Sequence, residues 1–149
     1  KELKELGATE VLNSTDMDFE EKLKAIYTKY NTKIILDAVG GEFCNTLLEP
    51  APEDTTLVSY GSLTKEALQV HPVPIIRFGK KIEGFHLAYW FAHQSKLKLL
   101  WFTNKTQRLI ADGTLSSNVA NRYSIDDINK AIEHYSENMS AGKSLIAFS

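Results

Sequence analysis

One cysteine, four prolines and almost no excess charge stand among the 149 residues of this chain, and each scarcity removes a class of explanation. A lone Cys44 can close no intramolecular disulfide, forms no Cys-x-x-Cys pair and supplies no cysteine-rich zinc site. A reducing compartment fits, cytoplasmic or, if a leader lies outside this sequence, mitochondrial. Lysine and arginine number 17 against 19 acids, a net charge of −2, and no basic run exceeds two residues. That leaves no electrostatic footprint for nucleic acid or an acidic membrane. Apolar runs such as Leu99–Phe102 fall far short of the ~20 residues that span a bilayer. No G-x-x-x-x-G-K-[S/T], G-x-S-x-G or G-x-G-x-x-G occurs, so no complete catalytic or phosphate-cradling motif is present. His71, His86, His93 and His134 are scattered, without the helical His spacing of a zinc site.

What is present is the composition of one ordinary domain with apolar residues enough for a real core: 43% hydrophobic and 24% charged. Leu3 and Leu6 followed by Gly7 read as the end of a helix with a left-handed glycine cap. That opening, at Lys1 and without Met, gives the expectation that the sequence is a piece of a longer chain. Glu10–Asn13 suits a short strand. Asp18 with Glu21 three residues on resembles a capping box, and Phe19, Leu23, Ile26, Tyr27 and Tyr30 then recur at helical spacing over 19–30. Lys33–Asp37 is apolar without alternation, the pattern of a central parallel strand covered on both faces.

Small residues at 38–41 turn into a helix ended by Pro50 and Pro52, and Thr55–Tyr60 is the next strand. A short helix is expected over 72–78, a strand over 81–87 and a long helix from about 92 to 112 closed by Gly113. The last third repeats the pattern. A strand near 119–123 leads to a helix with Ile125, Ile128, Ala131, Ile132 and Tyr135 on one face, then a loop over 138–142 and a closing strand over 144–148. Strand and helix alternate about six times without a linker or repeat, which predicts an α/β fold with a mostly parallel, doubly wound sheet. Ligands of such sheets bind at the carboxyl ends of the strands, which directs attention to Ala38–Gly41, Tyr60–Leu63 and Phe85–Tyr89.

Each of these positions carries two readings. The small residues Ala38, Val39, Gly40 and Gly41 would let backbone approach a planar or phosphorylated ligand, and they would equally serve a tight turn. Ser62 after Gly61 has a hydroxyl able to donate to a carboxamide or phosphate, though a single Gly-Ser turn says little; the two turns gain weight together because consecutive parallel strands place them on one edge. His86 at a strand exit either meets ligand or is a satisfied histidine at the sheet edge. Cys44, early in a helix, is either a favoured thiolate or a packed thiol. The Tyr89–Phe91 and Trp101–Phe102 clusters read as core or interface before they read as a stacking surface.

Taken in order, Lys-Glu-Leu-Gly-Ala, Val-Leu-Asn, Ile-Ile-Leu-Asp-Ala-Val-Gly-Gly, Val-Ser-Tyr-Gly-Ser-Leu, Ile-Glu-Gly-Phe and Ala-Gly-Lys-Ser-Leu-Ile resemble the medium-chain dehydrogenase/reductase superfamily, and most the quinone oxidoreductase-like and enoyl reductase-like branch. The resemblance covers essentially the whole chain. It implies a Rossmann-like domain binding NADPH or NADH, preceded in the family by a GroES-like catalytic domain and followed by a segment, here about 114–149, that returns towards it. The family's glycine-rich loop and its first two Rossmann strands would lie upstream of Lys1, making the strands at 10–13, 33–37, 55–60 and 81–87 the third to sixth. By the same resemblance Ala38, Val39 and Gly40 flank the cofactor ribose, and Tyr60, Gly61 and Ser62 lie along the nicotinamide. Phe85, His86 and Leu87 match the segment whose backbone meets the carboxamide, and Asn138 matches a position that helps bind cofactor phosphate. A homodimer paired through the 81–87 strand and independence of zinc are implied too.

Two functions follow from different classes. The first is the nucleotide-binding portion of an NAD(P)H-dependent quinone or enoyl-thioester reductase, inactive by itself. The rival is a non-catalytic oligomerisation or structural module derived from such a reductase.

Overall fold

Leu3 lies in a short helix α1 (Glu2–Glu5) with Leu6 just past its end and Gly7 in the left-handed region (φ +97°), and the spacing over 19–30 produces helix α2 (Phe19–Tyr30). The computed structural model describes residues 2–137 and 142–148, and the chain divides into two units, Lys1–Ala92 and His93–Ser149. The capping box expected at Asp18 does not form. Its carboxylate caps no backbone N–H and pairs instead with Lys22 Nζ at 2.8 Å.

In the first unit β1 (Ile34–Asp37), β2 (Thr56–Ser59) and β3 (Lys81–Gly84) make a wholly parallel sheet in the order β1-β2-β3, with α3 (Phe43–Leu48) and α4 (Pro72–Phe78) on the crossovers. Ile35, Leu57 and Ile82 lie opposite one another in register and pack with Phe19, Leu23 and Tyr27 of α2 and Cys44 and Leu48 of α3. The α/β parallel architecture is as expected, and three details differ. Glu10–Asn13 is not a strand: Leu12 packs on the core, while Glu10 is held by Lys4, Lys29 and Tyr30. β1 therefore ends the three-stranded sheet instead of lying at its centre. The described helices α2 and α3 cover one of its faces, so Ile34 and Leu36 on the other are 65% and 68% exposed. An apolar run tells of cover on both faces only when the chain at hand supplies both layers.

The 81–87 strand stops at Gly84. Phe85 N still donates to Ser59 O at 2.9 Å, and the chain then turns into α5 (Leu87–Ala92). The helix expected from about 92 to 112 forms but starts later, because Ser95 adopts an extended backbone and its hydroxyl caps Lys98 N, opening α6 (Lys96–Ala111). Lys80, 4% exposed, was not anticipated as a structural residue. Its ammonium donates to the carbonyls of Leu48 and Glu49 at 2.9 and 2.8 Å, closing the C-terminus of α3. Burial draws its pKa below the ordinary lysine value against the pull of Glu49 and Glu53.

The second unit holds α6 and a β-α-β element in which β4 (Val119–Ser124) and β5 (Lys143–Ala147) are parallel and α7 (Ile128–Glu137) joins them after a 3₁₀ turn at Ile125–Asp127. Of the apolar stripe on this helix only Ala131 is buried. Ile128, Ile132 and Tyr135 line an open groove of about 420 Å³ against Ser144 and Ile146. Among the described residues no helix is long and apolar enough to cross a membrane.

Candidate functional site

Because β1, β2 and β3 are parallel and in register, their carboxyl ends open on one edge, and the chain leaves that edge at 38–42, 60–64 and 85–86. The first two exits are laced together. Tyr60 N donates to Asp37 O at 2.9 Å, Leu63 N to Ala38 O at 3.1 Å and Thr64 N to Val39 O at 3.1 Å, while Thr64 Oγ1 adds a second bond to the Val39 carbonyl at 3.0 Å. This approach requires glycine. A Cβ on Gly61 would stand 2.8 Å from the Ala38 carbonyl oxygen and 3.2 Å from its Cα. Gly40 and Gly41 are both left-handed (φ +78° and +66°), the conformation that small, unbranched backbone adopts without strain.

Asp37 sits beneath the turn, 2% exposed. Its carboxylate accepts from Val39 N at 3.0 Å, from Gly40 N at 3.2 Å and from the Cys44 thiol at 3.2 Å. Burial and the neighbouring carboxylate push the Cys44 thiol up to about 11, so of its two readings the packed thiol holds and the helix-favoured thiolate does not. Neither Asp37 nor Thr64 stands out as a site residue in the sequence. The available signal was a carboxylate closing an otherwise apolar strand, since a buried acid must find donors and the next residues' amides are the nearest.

The structure therefore brings Ala38, Val39 and Gly40 into direct contact with Gly61 and its neighbours Tyr60 and Ser62, as the two-turn argument required. Tyr60 and Ser62 are exposed beside the joined turns. Phe85 joins the same edge through its bond to Ser59, and His86 O accepts from Trp90 N at 2.9 Å to open α5, of which Leu87 is the first residue. Asn138 lies outside the described residues.

Chemically the edge offers shape more than charge. The carbonyls of Ala38 and Val39 and the amides of Val39 and Gly40 are spent on internal hydrogen bonds, so a ligand there would meet close-packed backbone, with the exposed residues Tyr60 and Ser62 beside it in the chain. Among the described residues no three His, Cys, Asp or Glu side chains are placed to hold a metal ion.

Comparison with known proteins adds to this picture. Residues 1–101 match the family model described as zinc-binding dehydrogenase. The mitochondrial enoyl-[acyl-carrier-protein] reductase of Rattus norvegicus is 25% identical over 131 residues, 88% of this chain and 35% of that protein. An NADPH:quinone reductase structure from Mesorhizobium loti superposes with a TM-score of 0.81 at 27% identity, covering 98% of this chain and 41% of that one. The mitochondrial 2-enoyl thioester reductase Etr1p/Etr2p heterodimer of Candida tropicalis superposes with a TM-score of 0.78 at 20% identity over 98% of this chain and 42% of that one. An Etr1p variant, TM-score 0.76 at 20% identity over the same shares, was solved with NADP and crotonyl-CoA. The chain thus spans about a third of the length of the curated relative and about two fifths of the solved neighbours.

Proposed function

This chain belongs to the zinc-binding dehydrogenase family, within the medium-chain dehydrogenase/reductase superfamily that its sequence resembles, and from that premise we propose that its joined strand exits bind a nicotinamide cofactor, NADPH or NADH, in a quinone or enoyl-thioester reductase. The observation that carries the reading is the approach of Gly61 to Ala38, which fuses two strand exits into one smooth backbone surface at the carboxyl edge of a parallel sheet. When bound, the cofactor supplies the hydride; the protein supplies orientation and exclusion of water.

Ala38, Val39 and Gly40 form the platform beside the ribose. Tyr60, Gly61 and Ser62 run along the nicotinamide, where the Ser62 hydroxyl is free to rotate towards a carboxamide. Phe85, His86 and Leu87 bring backbone to the far side of that carboxamide. β3 ends the described sheet, and we read its open edge as the place where two copies pair.

The test is spectrophotometric. The product of the complete reading frame should oxidise NADPH with at least one acceptor from a panel of quinones, enones and trans-2-enoyl thioesters. No oxidation across the panel would overturn the reading. The 149 residues alone should bind NADPH more weakly than about micromolar, since this segment presents no glycine-rich pyrophosphate turn at a helix N-terminus. The rival, a non-catalytic module, is favoured by the exposure of Leu97 and Trp101 (81% and 61%). It predicts oligomerisation without cofactor binding.

A further inference from the structure

We propose that Asp37 is a positioning residue for the cofactor edge, its buried carboxylate setting the shape of the 38–41 turn with the Cys44 thiol as its third hydrogen-bond donor. This rests on the reading above and assigns work to residues that touch no ligand. The turn needs a holder. Gly40 and Gly41 are consecutive left-handed glycines, the most freely rotating pair a backbone can contain, yet a platform for a rigid ring must have one shape.

Two grips supply it. From below, the Asp37 carboxylate takes the amides of Val39 and Gly40, the latter lying within 3.3 Å of both oxygens. From above, the 60–64 loop takes the carbonyls of Ala38 and Val39. No cation pairs with Asp37 among the described residues, so its charge is held by N–H and S–H dipoles alone. Such charge-assisted bonds are roughly twice as strong as neutral ones, which makes the charge itself a stiffener of the turn. Any relaxation at Asp37 passes directly to the 60–64 loop, because Tyr60 N donates to Asp37 O and Leu63 N to Ala38 O, and the Ala38 carbonyl leaves no room for a Cβ on Gly61.

Cys44 works through Asp37. It is fully buried, and its Sγ is 3.2 Å from Oδ2, so it steadies the carboxylate and takes no part in redox or nucleophilic chemistry. A hydroxyl in its place can still donate. A methyl cannot.

The experiment compares Asp37→Asn, Cys44→Ser and Cys44→Ala with the wild type in the product of the complete reading frame, reading NADPH affinity by fluorescence titration and the KM of the acceptor separately. Asp37→Asn keeps the volume and one acceptor oxygen but loses the charge. It is expected to weaken NADPH binding about tenfold while leaving the acceptor KM within about twofold. Cys44→Ser should stay within about twofold of wild type in NADPH affinity, whereas Cys44→Ala should weaken it by about threefold.

A purely structural Asp37 would lower the melting midpoint yet leave the folded protein's NADPH affinity unchanged, and that result overturns the proposal. Should Asp37→Asn fail to fold, the cysteine pair decides: equal NADPH affinity in Cys44→Ser and Cys44→Ala also overturns it. A wild type that binds no nicotinamide cofactor overturns the cofactor reading together with this inference. Wild-type binding with unaltered variants overturns the inference alone.

Discussion

Replacing Gly61 by alanine tests the joined turns more directly than any other single change. The new Cβ would lie 2.8 Å from the Ala38 carbonyl oxygen, 3.2 Å from its Cα and 3.4 Å from its carbonyl carbon. All three are backbone atoms, so no side chain can rotate out of the way. Overpacking of this kind costs about 1–3 kcal/mol. Moving the Ala38 carbonyl also lengthens the 3.1 Å bond from Leu63 N, a further loss of about 1 kcal/mol.

Against this, alanine restricts the unfolded chain and returns about 0.4–1 kcal/mol, since Gly61 does not need a left-handed φ. The net expectation is a destabilisation of about 1–3.6 kcal/mol, centred a little above 2, from combining the strain, bond and entropy contributions. Gly84→Ala is the control. That glycine also has no left-handed φ, and its added Cβ meets nothing within 4 Å, so the change should be neutral or slightly stabilising. Urea unfolding followed by far-ultraviolet circular dichroism would measure both, with an unchanged m-value expected. A Gly61→Ala midpoint equal to that of Gly84→Ala would refute the claim that the two exits share one close backbone contact.

Four further outcomes are expected. Leu48, fully buried among α2, α3 and the sheet, should cost about 2–5 kcal/mol when truncated to alanine, while Tyr27→Phe, which abandons the 3.1 Å bond to Leu47 O, should cost about 1 kcal/mol; equilibrium unfolding checks both. Cys44, buried with its thiol pushed up to about 11, should resist a thiol-specific disulfide reagent in the native protein and react at once after denaturation; fast native labelling would contradict its placement. Hydrogen bonds from Lys29, Lys4 and Tyr30 lower the Glu10 carboxyl to about 2 from 4.5, so the folded state binds fewer protons than the unfolded one between those values. Stability from this contact is full above about pH 4.5 and fades as pH falls towards 2. Glu10→Gln should flatten that limb of the melting-point curve, and because the group is exposed the difference should shrink in high salt.

Much of the fold was legible because the signals were local. Helix α2 followed from apolar spacing, and α4 from a proline near its start, which the structure shows as Pro72 at the first position; the helix ends at Gly79 in the left-handed region (φ +63°). The pairing of Ala38–Gly40 with Tyr60–Ser62 was also anticipated, because parallel register puts successive strand exits on one edge. Less local features were misread. Glu10–Asn13 has strand-like residues, but a strand also needs a neighbour to take its backbone bonds, which no residue type announces. Ser95 moved the start of the expected 92–112 helix to Lys96 because its hydroxyl found the amide of Lys98, a competition that propensity alone does not resolve.

By itself, then, the sequence determined the alternation of strand and helix, the parallel class of sheet and the edge on which the strand exits meet, since periodicity, glycine and proline act over a few residues. Only the tertiary structure decided that Asp37 holds the glycine turn, that Thr64 and Gly61 close over it, and that Lys80 caps α3 through the Leu48 and Glu49 carbonyls. Those assignments depend on contacts between residues distant along the chain and on burial, where an ionised group is tolerated only if folding delivers its partners.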